Sequence, residues 1–294
     1  MTGPAMEANL NNHYLMDISG AEFDLFRTYI HRRFGIHLTD KKRSLLVSRL
    51  QKIIRDSGFG SFQNYYDHLT KSSDRRQVQE LVNRISTNHT FFNRENDHFE
   101  YFSKVALPAI TASLRAKGEN DLRVWCAGCS TGEEAYMLLM LMAEFFGAGA
   151  SDWKAGILAT DISEQVLDVA KEGVYSEDKI ASLPPRLREK YTSRLGDGSY
   201  RIADRLRRDA TFRRFNLMNR SYPFRKPFHV IFCRNVMIYF DENDKQKVVN
   251  RFYEVTEPGG YLFIGHSETL GRKQQAYRYI QPALYQKAVV SDAR

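Results

Sequence analysis

The stretch at residues 121–136, DLRVWCAGCSTGEEAY, constrains the fold more than any other part of the chain. Residues 122–125 read as a short buried strand, and Ser130 with Glu133 and Glu134 opens an apolar helix running through Met137, Leu138, Leu141 and Met142. Between them lies a loop of small residues, Ala127, Gly128, Cys129, Ser130, Thr131 and Gly132. Such a loop turns sharply, lets a ligand approach the backbone and points the free N–H groups of the helix start at it. Strand, glycine loop and helix in this order form the first crossover of a nucleotide-binding α/β sheet.

The loop is not the dinucleotide fingerprint, because Gly128 and Gly132 stand four apart, and it lacks the Gly-Lys-Ser/Thr ending of a P-loop. It carries no Lys or Arg, and two carboxylates follow it. That suits a ligand with an ammonium group or ribose hydroxyls better than a pyrophosphate. S-adenosylmethionine combines a sulfonium, an amino group and a ribose with no phosphate. The alternative is a plain tight turn before a capped helix. A second apolar run, AGILAT at residues 155–160, ends on Asp161, about one βαβ spacing after the loop. A carboxylate there hydrogen-bonds ribose hydroxyls in such folds, and it can also cap a helix at residues 163–170.

A chain of 294 residues with 43% hydrophobic content has room for one large domain or two ordinary ones. No apolar run approaches a membrane span, and the first dozen residues are polar without a signal-peptide pattern, so a soluble, cytoplasmic protein without membrane insertion is expected. Three cysteines include the pair Cys126 and Cys129 inside the glycine loop, with Cys233 far away. With no second pair or nearby His, they read as small buried residues, a redox pair is a minor alternative, and no metal is expected. The net charge of +8 calls for a partner with negative charge: nucleic acid, a membrane surface or an acidic protein.

In chain order, residues 1–18 read as a disordered tail and residues 19–86 as a helical domain. Phe23, Phe26, Tyr29, Ile30 and Phe34 share one helix face, and Leu45, Leu46, Leu50, Ile53 and Ile54 the next. The second helix carries Lys41, Lys42, Arg43, Arg49, Lys52 and Arg55, either a solvated face or a docking surface for an acidic partner. Residues 78–84 form another helix. Residues 87–120 are a linker and a helix (99–114) contributing to the cofactor cleft, with the run 88–95, NHTFFNRE, folded back against that cleft. Packing of Phe91 and Phe92 is the competing account of that run.

Residues 121–294 form the α/β domain. An insert at about 190–210 reads as strand, Gly-Asp-Gly turn and return strand, a small β subdomain whose flanking arginines (Arg205, Arg207, Arg208, Arg213, Arg214) suit phosphates or carboxylates. Strands at 211–215 and 228–233 end on Asn216-Leu217 and on Arg234-Asn235-Val236, where ligand groups gather in such sheets. A helix at 245–256 is stopped by Pro258-Gly259-Gly260 before a strand at 261–264, and residues 277–287 form an edge hairpin.

Taken together the motifs resemble those of the chemotaxis receptor methyltransferases, the CheR family, from about residue 23 to 287. They are Lys42-Arg43-Ser44-Leu45-Leu46 with Arg49-Leu50, Asn88-x-Thr90-x-Phe92 with Arg94, Trp125-Cys126-Ala127 to Glu133-Glu134, Ala159-Thr160-Asp161-Ile162, Phe215-Asn216-Leu217, Cys233-Arg234-Asn235-Val236-Met237-Ile238-Tyr239-Phe240 and Gly265-His266-Ser267-Glu268. Asn93 stands where the family commonly has a second phenylalanine before the arginine.

The resemblance implies a class I S-adenosylmethionine-dependent methyltransferase (Rossmann-like) α/β sheet with a small antiparallel β subdomain, preceded by an all-α N-terminal domain. It implies methyl transfer from S-adenosylmethionine to glutamate side chains on the cytoplasmic helices of chemoreceptors, leaving S-adenosylhomocysteine. Asn88, Thr90, Arg94, Glu133, Asp161, Asn216, Leu217, Asn235 and Val236 would line the cofactor site, and Arg94 and Tyr239 would face the accepting glutamate. Tyr239 has packing in an aromatic run as its alternative. Lys42, Arg43, Arg49 and Lys52 would meet the acidic receptor helices, and in some family members the β subdomain docks a receptor tail peptide by strand addition. Two rivals stand beside this: a nucleic-acid methyltransferase, disfavoured because Arg234-Asn235-Val236 replaces the Asn/Asp-Pro-Pro-aromatic signature, and a non-catalytic S-adenosylmethionine-binding interaction protein.

Overall fold

The computed structural model describes residues 16–72, 75–271 and 277–289; most of the expected N-terminal tail lies outside them. Residues up to Tyr29 together with Leu38–Ile85 form one compact unit, and Ile30–His37 with the residues from Ser86 onward form a second.

The first unit is helical: α1 (Gly20–Phe34, whose end from Ile30 belongs with the second unit), α2 (Arg43–Asp56), α3 (Phe62–Lys71) and α4 (Arg75–Ile85). Ser19 and Glu22 close a capping box on α1, the serine hydroxyl accepting from Glu22 N at 3.2 Å and the carboxylate from Ser19 N at 2.8 Å. Ser61 caps α3 by accepting from Asn64 N. Phe26 is fully buried and packs on the rings of Phe62, Tyr65 and Tyr66. Of the expected faces, Phe23, Phe26, Leu46, Leu50, Ile53 and Ile54 are buried, but Leu45 is 39% exposed. It lies one position off the stripe through Leu46, Leu50, Ile53 and Ile54, and a run of adjacent apolar residues cannot all share one side of a 3.6-residue turn.

The second unit holds a seven-stranded sheet in the order β6-β2-β1-β7-β8-β10-β9 and a three-stranded sheet in the order β3-β5-β4. In chain order its elements are α5 (Asn96–Tyr101), α6 (Leu107–Ala116), β1 (Asp121–Ala127), α7 (Glu133–Phe146), β2 (Lys154–Asp161), α8 (Glu164–Glu172), β3 (Val174–Tyr175), α9 (Glu177–Ile180), α10 (Pro185–Tyr191), β4 (Thr192–Arg194), β5 (Tyr200–Ile202), α11 (Asp204–Asp209), β6 (Ala210–Arg214), β7 (Phe228–Cys233), α12 (Glu242–Glu254), β8 (Thr256–Ile264), β9 (Tyr277–Gln281) and β10 (Leu284–Lys287). A π turn at Phe102–Ala106 joins α5 to α6, where Pro108 has no N–H for the carbonyl four residues back.

Strands β6, β2, β1, β7 and β8 pair in parallel, and the hairpin of β9 and β10 adds antiparallel to β8. Both faces of the sheet are covered, which is why its central strands read as continuous apolar runs. Val124, Cys126, Val230, Phe232 and Phe263 enter the core that holds α6 and α7; Trp125, Ile231, Cys233, Leu262 and Ile264 enter the core that holds α12. Trp125 is fully buried, its indole N–H donates to Thr160 Oγ1 at 2.9 Å, and the rings of Phe215, Tyr222, Phe224, Phe228 and Phe252 surround it.

The expected methyltransferase-like architecture is present, with three local differences. The small antiparallel sheet begins at β3, before the stretch 190–210, because Val174 and Tyr175 pair with β5. The helix expected at 245–256 is α12, which Asp241 starts by accepting from Asp244 N at 2.8 Å. Pro258-Gly259-Gly260 does not precede the next strand but lies inside β8, where pairing with β7 jumps from Phe228↔Thr256 to Val230↔Tyr261. Proline and glycine tolerate such a bulge, and a Cβ at Gly260 would stand 2.8 Å from the carbonyl oxygens of Glu257 and His229.

Two outcomes follow for stability. Trp125→Ala should lower the unfolding free energy by about 3–5 kcal/mol, read from urea denaturation, because five packed rings lose their common partner. His229 is buried and its Nδ1 accepts from Arg123 N at 3.0 Å, which requires an unprotonated ring; burial, then the Arg123 charge, push its pKa down to about 4 from 6.5. As pH falls from about 6.5 to about 4 the unfolded chain gains a proton that the folded one refuses, so stability is full above this window and falls within it. His229→Asn, with Oδ1 as the acceptor, should remove on the order of 2–3 kcal/mol of that acid loss, measured as the difference between urea midpoints at the two ends of the window.

Candidate functional site

The carboxyl ends of β1, β2 and β7 carry the site. After β1 the chain turns through Gly128, Ser130 and Gly132 at φ of +84°, +49° and +94°. Gly128 N and Cys129 N donate to Thr160 O at 2.7 and 2.9 Å, folding the loop over the end of β2. At Gly128 a side chain has no room: a Cβ would lie 2.4 Å from Val236 Cγ2. Gly132, not Ser130, immediately precedes α7, and the buried Ser130 is held inside the loop, its hydroxyl donating to Asn88 O at 3.1 Å. That bond joins the run at 88–95 to the glycine loop. Within the run Phe92 is buried against Tyr175, whereas Phe91 is 40% exposed, so packing accounts for one phenylalanine and not the other.

Asp161 is buried at the end of β2. Its Oδ2 accepts from Ser130 N at 2.9 Å and its Oδ1 from Ser163 N at 3.0 Å. Burial raises its pKa, opposed by the amides of Ser163, Ser130 and Ile162. Capping of α8 falls to Ser163, whose hydroxyl accepts from Val166 N, so Asp161 acts on the loop rather than as the helix cap. Glu133 is fully buried: Thr131 Oγ1 donates to it at 2.6 Å, and Lys179 Nζ pairs with it at 2.6 Å. Cys126, Cys129 and Cys233 are free and buried, and burial raises all three thiol pKa values, which leaves them protonated and unreactive.

At the end of β7 the buried guanidinium of Arg234 gathers the remaining elements. Its Nη1 pairs with Glu134 Oε2 at 3.1 Å, its Nη2 pairs with Glu95 Oε2 at 3.1 Å and also donates to the carbonyl of Arg94, and it lies over the ring of Phe99. Glu95, at φ +54°, further accepts from Asn235 Nδ2 and His266 N, both at 3.3 Å. Asn235 itself stands at φ +58°. Glu268 is buried and accepts from Asn235 N at 2.9 Å, Gly265 N at 2.5 Å and Ile238 N at 3.1 Å, which moulds the loop from 234 to 239 around one carboxylate.

Asn88, Thr90, Arg94, Asn235, Val236 and Tyr239 are partly exposed. Arg94 donates to His89 O at 3.1 Å and stacks on Phe91, while the Tyr239 hydroxyl lies 3.5 Å from Thr87 O. Hydrogen bonds and packing thus connect the glycine loop, Asp161, Asn88, Val236, Asn235 and the Arg94 backbone in one continuous set. Asn216 and Leu217 differ. The Asn216 amide donates to Arg33 O at 2.7 Å and accepts from Met218 N at 2.9 Å, and Leu217 is buried in the core beside α12, its carbonyl held by Tyr222 and Arg251. In the sequence Glu134 reads as one of two carboxylates suited to a ligand, and Glu95, Arg234 and Glu268 appear only as members of motifs, so their ion-pair cluster is not foreseen. The one signal for them is an arginine directly after the apolar strand FHVIFC, since a cation there needs buried carboxylate partners.

The arrangement sets a buried carboxylate, Asp161, beside a tight glycine loop that has no cation to hold a phosphate. Comparison with known proteins agrees with this chemistry. Residues 88–285 match the family model described as "CheR methyltransferase, SAM binding domain", and residues 21–86 match "CheR methyltransferase, all-alpha domain". A chemotaxis protein methyltransferase of Borreliella burgdorferi is 40% identical over 283 residues, covering 96% of this chain and 100% of the relative. One from Escherichia coli is 34% identical over 263 residues, covering 88% of each. With both family models matched in order and relatives aligned along nearly the whole length, this chain belongs to the CheR methyltransferase family.

Proposed function

We propose that this protein methylates glutamate side-chain carboxylates of chemoreceptors. Its activity in the coarser sense is that of its family, S-adenosylmethionine-dependent methylation in chemotaxis. The observation that carries the finer reading is Arg94, a partly exposed guanidinium whose peptide is pinned by Arg234 beside the cofactor loops. The cofactor fits the residues present: Asp161 is a carboxylate fixed by two amides at the end of β2, and the loop before it carries no phosphate-binding cation. When bound, S-adenosylmethionine supplies an electrophilic methyl group on a sulfonium.

The acceptor needs no activation, because a glutamate is ionised at neutral pH. Bound S-adenosylmethionine would supply the methyl group to one carboxylate oxygen and would keep the carbon–sulfur bonding pair on its sulfur. No proton moves, so alignment and exclusion of water are the work of the protein. Asp161 accepts from ribose hydroxyls, and Asn88, Thr90, Asn235 and Val236 border the cofactor. Glu133 supports the helix start through Lys179 and Thr131, and Asn216 and Leu217 support the wall beside them. Arg94 holds the second oxygen of the substrate carboxylate with its fork, and Tyr239 donates to the same group.

For the partner, Lys42 just before α2 and Arg43, Arg49 and Lys52 on it face the acidic cytoplasmic helices of receptors. Arg43 also donates to Ile18 O, Arg49 to Ile85 O, and Lys52 pairs with Asp56, so the helix is anchored where it is basic. The edge strand β4 is where a receptor tail would add as a further strand. No helix among the described residues is long and apolar enough to cross a membrane.

The direct test is transfer of labelled methyl from S-adenosylmethionine to a chemoreceptor cytoplasmic fragment. Wild type should give a base-labile label, and Arg94→Ala should lower kcat by about a hundredfold or more with cofactor affinity within a few fold. Equal turnover in the variant removes Arg94 from the transfer step. Asp161→Asn should weaken S-adenosylhomocysteine binding by about tenfold or more in calorimetry, since an amide is a poorer acceptor for two hydroxyls. Unchanged affinity would place the ribose elsewhere.

A further inference from the structure

The end of α1 and the start of α12 bring two histidines and two aspartates together, next to the loop that carries Tyr239. His31 Nε2 lies 2.9 Å from Asp241 Oδ2 and 3.1 Å from Asp244 Oδ2. His37 completes the group: donor atoms of His31, His37 and Asp241 all lie within 4.8 Å of one another, and the two rings stand 6.1 Å apart at 77°. We infer that His31, His37, Asp241 and Asp244 form a binding site for a divalent transition metal of the zinc class.

The carboxylates are oriented before any ion arrives. Asp241 accepts from Asp244 N through Oδ1 at 2.8 Å as the helix cap, and Asp244 Oδ1 holds Lys247 Nζ at 2.8 Å. Each aspartate thus has one oxygen fixed by a structural partner and the other aimed at His31, the arrangement by which outer partners orient metal ligands. The segment bearing His37 is fixed as well, because His37 N donates to Tyr239 O at 2.7 Å. Tetrahedral donors at zinc bond lengths stand about 3.3 Å apart; the two aspartate oxygens lie 2.9 and 3.1 Å from His31 Nε2, and the His37 donor lies within 4.8 Å of those of His31 and Asp241. The set is two imidazoles and two carboxylates, a borderline N/O set suited to zinc and its neighbours.

A second group, Glu95, His98 and His266, has donors equally close. There the Arg234 guanidinium already occupies Glu95, and its charge opposes a second cation. At His31 the nearby cation, Lys247, is half-exposed and sits on the far oxygen of Asp244. An ion bound there would staple the segment 30–37 to α12 and, through the His37 amide, to the loop carrying Tyr239. Sequence spacing conceals the site, since His31 and Asp241 are 210 positions apart.

The full chain, stripped with a chelator and without cofactor or receptor, is titrated with zinc chloride by calorimetry, so the result is independent of methyl transfer. One ion per chain should bind saturably with micromolar or tighter affinity, and zinc should raise the melting temperature. His37→Ala, at an exposed position, should weaken binding by about tenfold or more, His31→Gln should abolish it, and both should lose the zinc-dependent thermal shift. His266→Ala should bind as wild type does. Absence of saturable binding, equal affinity in folded His31→Gln and His37→Ala, or loss of binding in His266→Ala would each overturn the assignment.

Discussion

The arrangement of the site depends on one buried cation. The Arg234 side chain is 2% exposed, and a guanidinium so far from water is tolerated only when carboxylates and carbonyls take its donors. Glu134 comes from the first turn of α7, Glu95 from the turn ahead of α5, and the Arg94 carbonyl from the residue before it. Two segments distant in sequence, residues 94–95 and the start of α7, are therefore held to the end of β7 by electrostatics, and Phe99 covers the planar face of the cation. Glu95 adopts a left-handed conformation within this contact, a cost of order 1–3 kcal/mol that the ion pair and its two further donors offset.

From that fixed point the chemistry follows. Glu268 gathers the amides of the loop after Arg234 and sets Asn235, also left-handed, beside Gly265, where a Cβ would meet the Asn235 side chain at 2.5 Å. On the other side of β1, Asp161 fixes the glycine loop through Ser130, and Val236 fills the space left by the missing side chain at Gly128. The result is a preorganised set of loops held by buried hydrogen bonds and ion pairs. That suits the proposed transfer of a methyl group to an ionised carboxylate, for which geometry is what remains to be supplied.

Much of this was legible from residues that act locally. The strand, glycine loop and helix at 121–146, Asp161 at the end of β2, the hairpin at 277–287 and the small sheet of β4 and β5 all declare themselves through periodicity and turn residues. What stayed hidden depends on partners far apart in the chain. The two-residue strand β3 exists only because β5 is there to pair with it, and the bulge at Pro258-Gly259-Gly260 looks like a helix stop until its parallel neighbour is seen. Glu133 reads as a ligand group beside the loop, yet Lys179, 46 positions away, takes its carboxylate. Asn216 likewise stands at a strand end where ligands gather, but its amide bridges Arg33 and Met218. Leu45 was read into a helix face that geometry allots to Leu46.

The dependence on Arg234 can be measured most directly with Arg234→Lys, which keeps the positive charge and removes the planar fork that reaches Glu134, Glu95 and the Arg94 carbonyl together. S-adenosylhomocysteine binding by calorimetry, with circular dichroism to verify the fold, is the readout. A folded variant whose affinity falls by about tenfold or more is the result expected if this contact sets the cofactor loops. A folded variant that binds as tightly as wild type would show that the loops hold their positions without it.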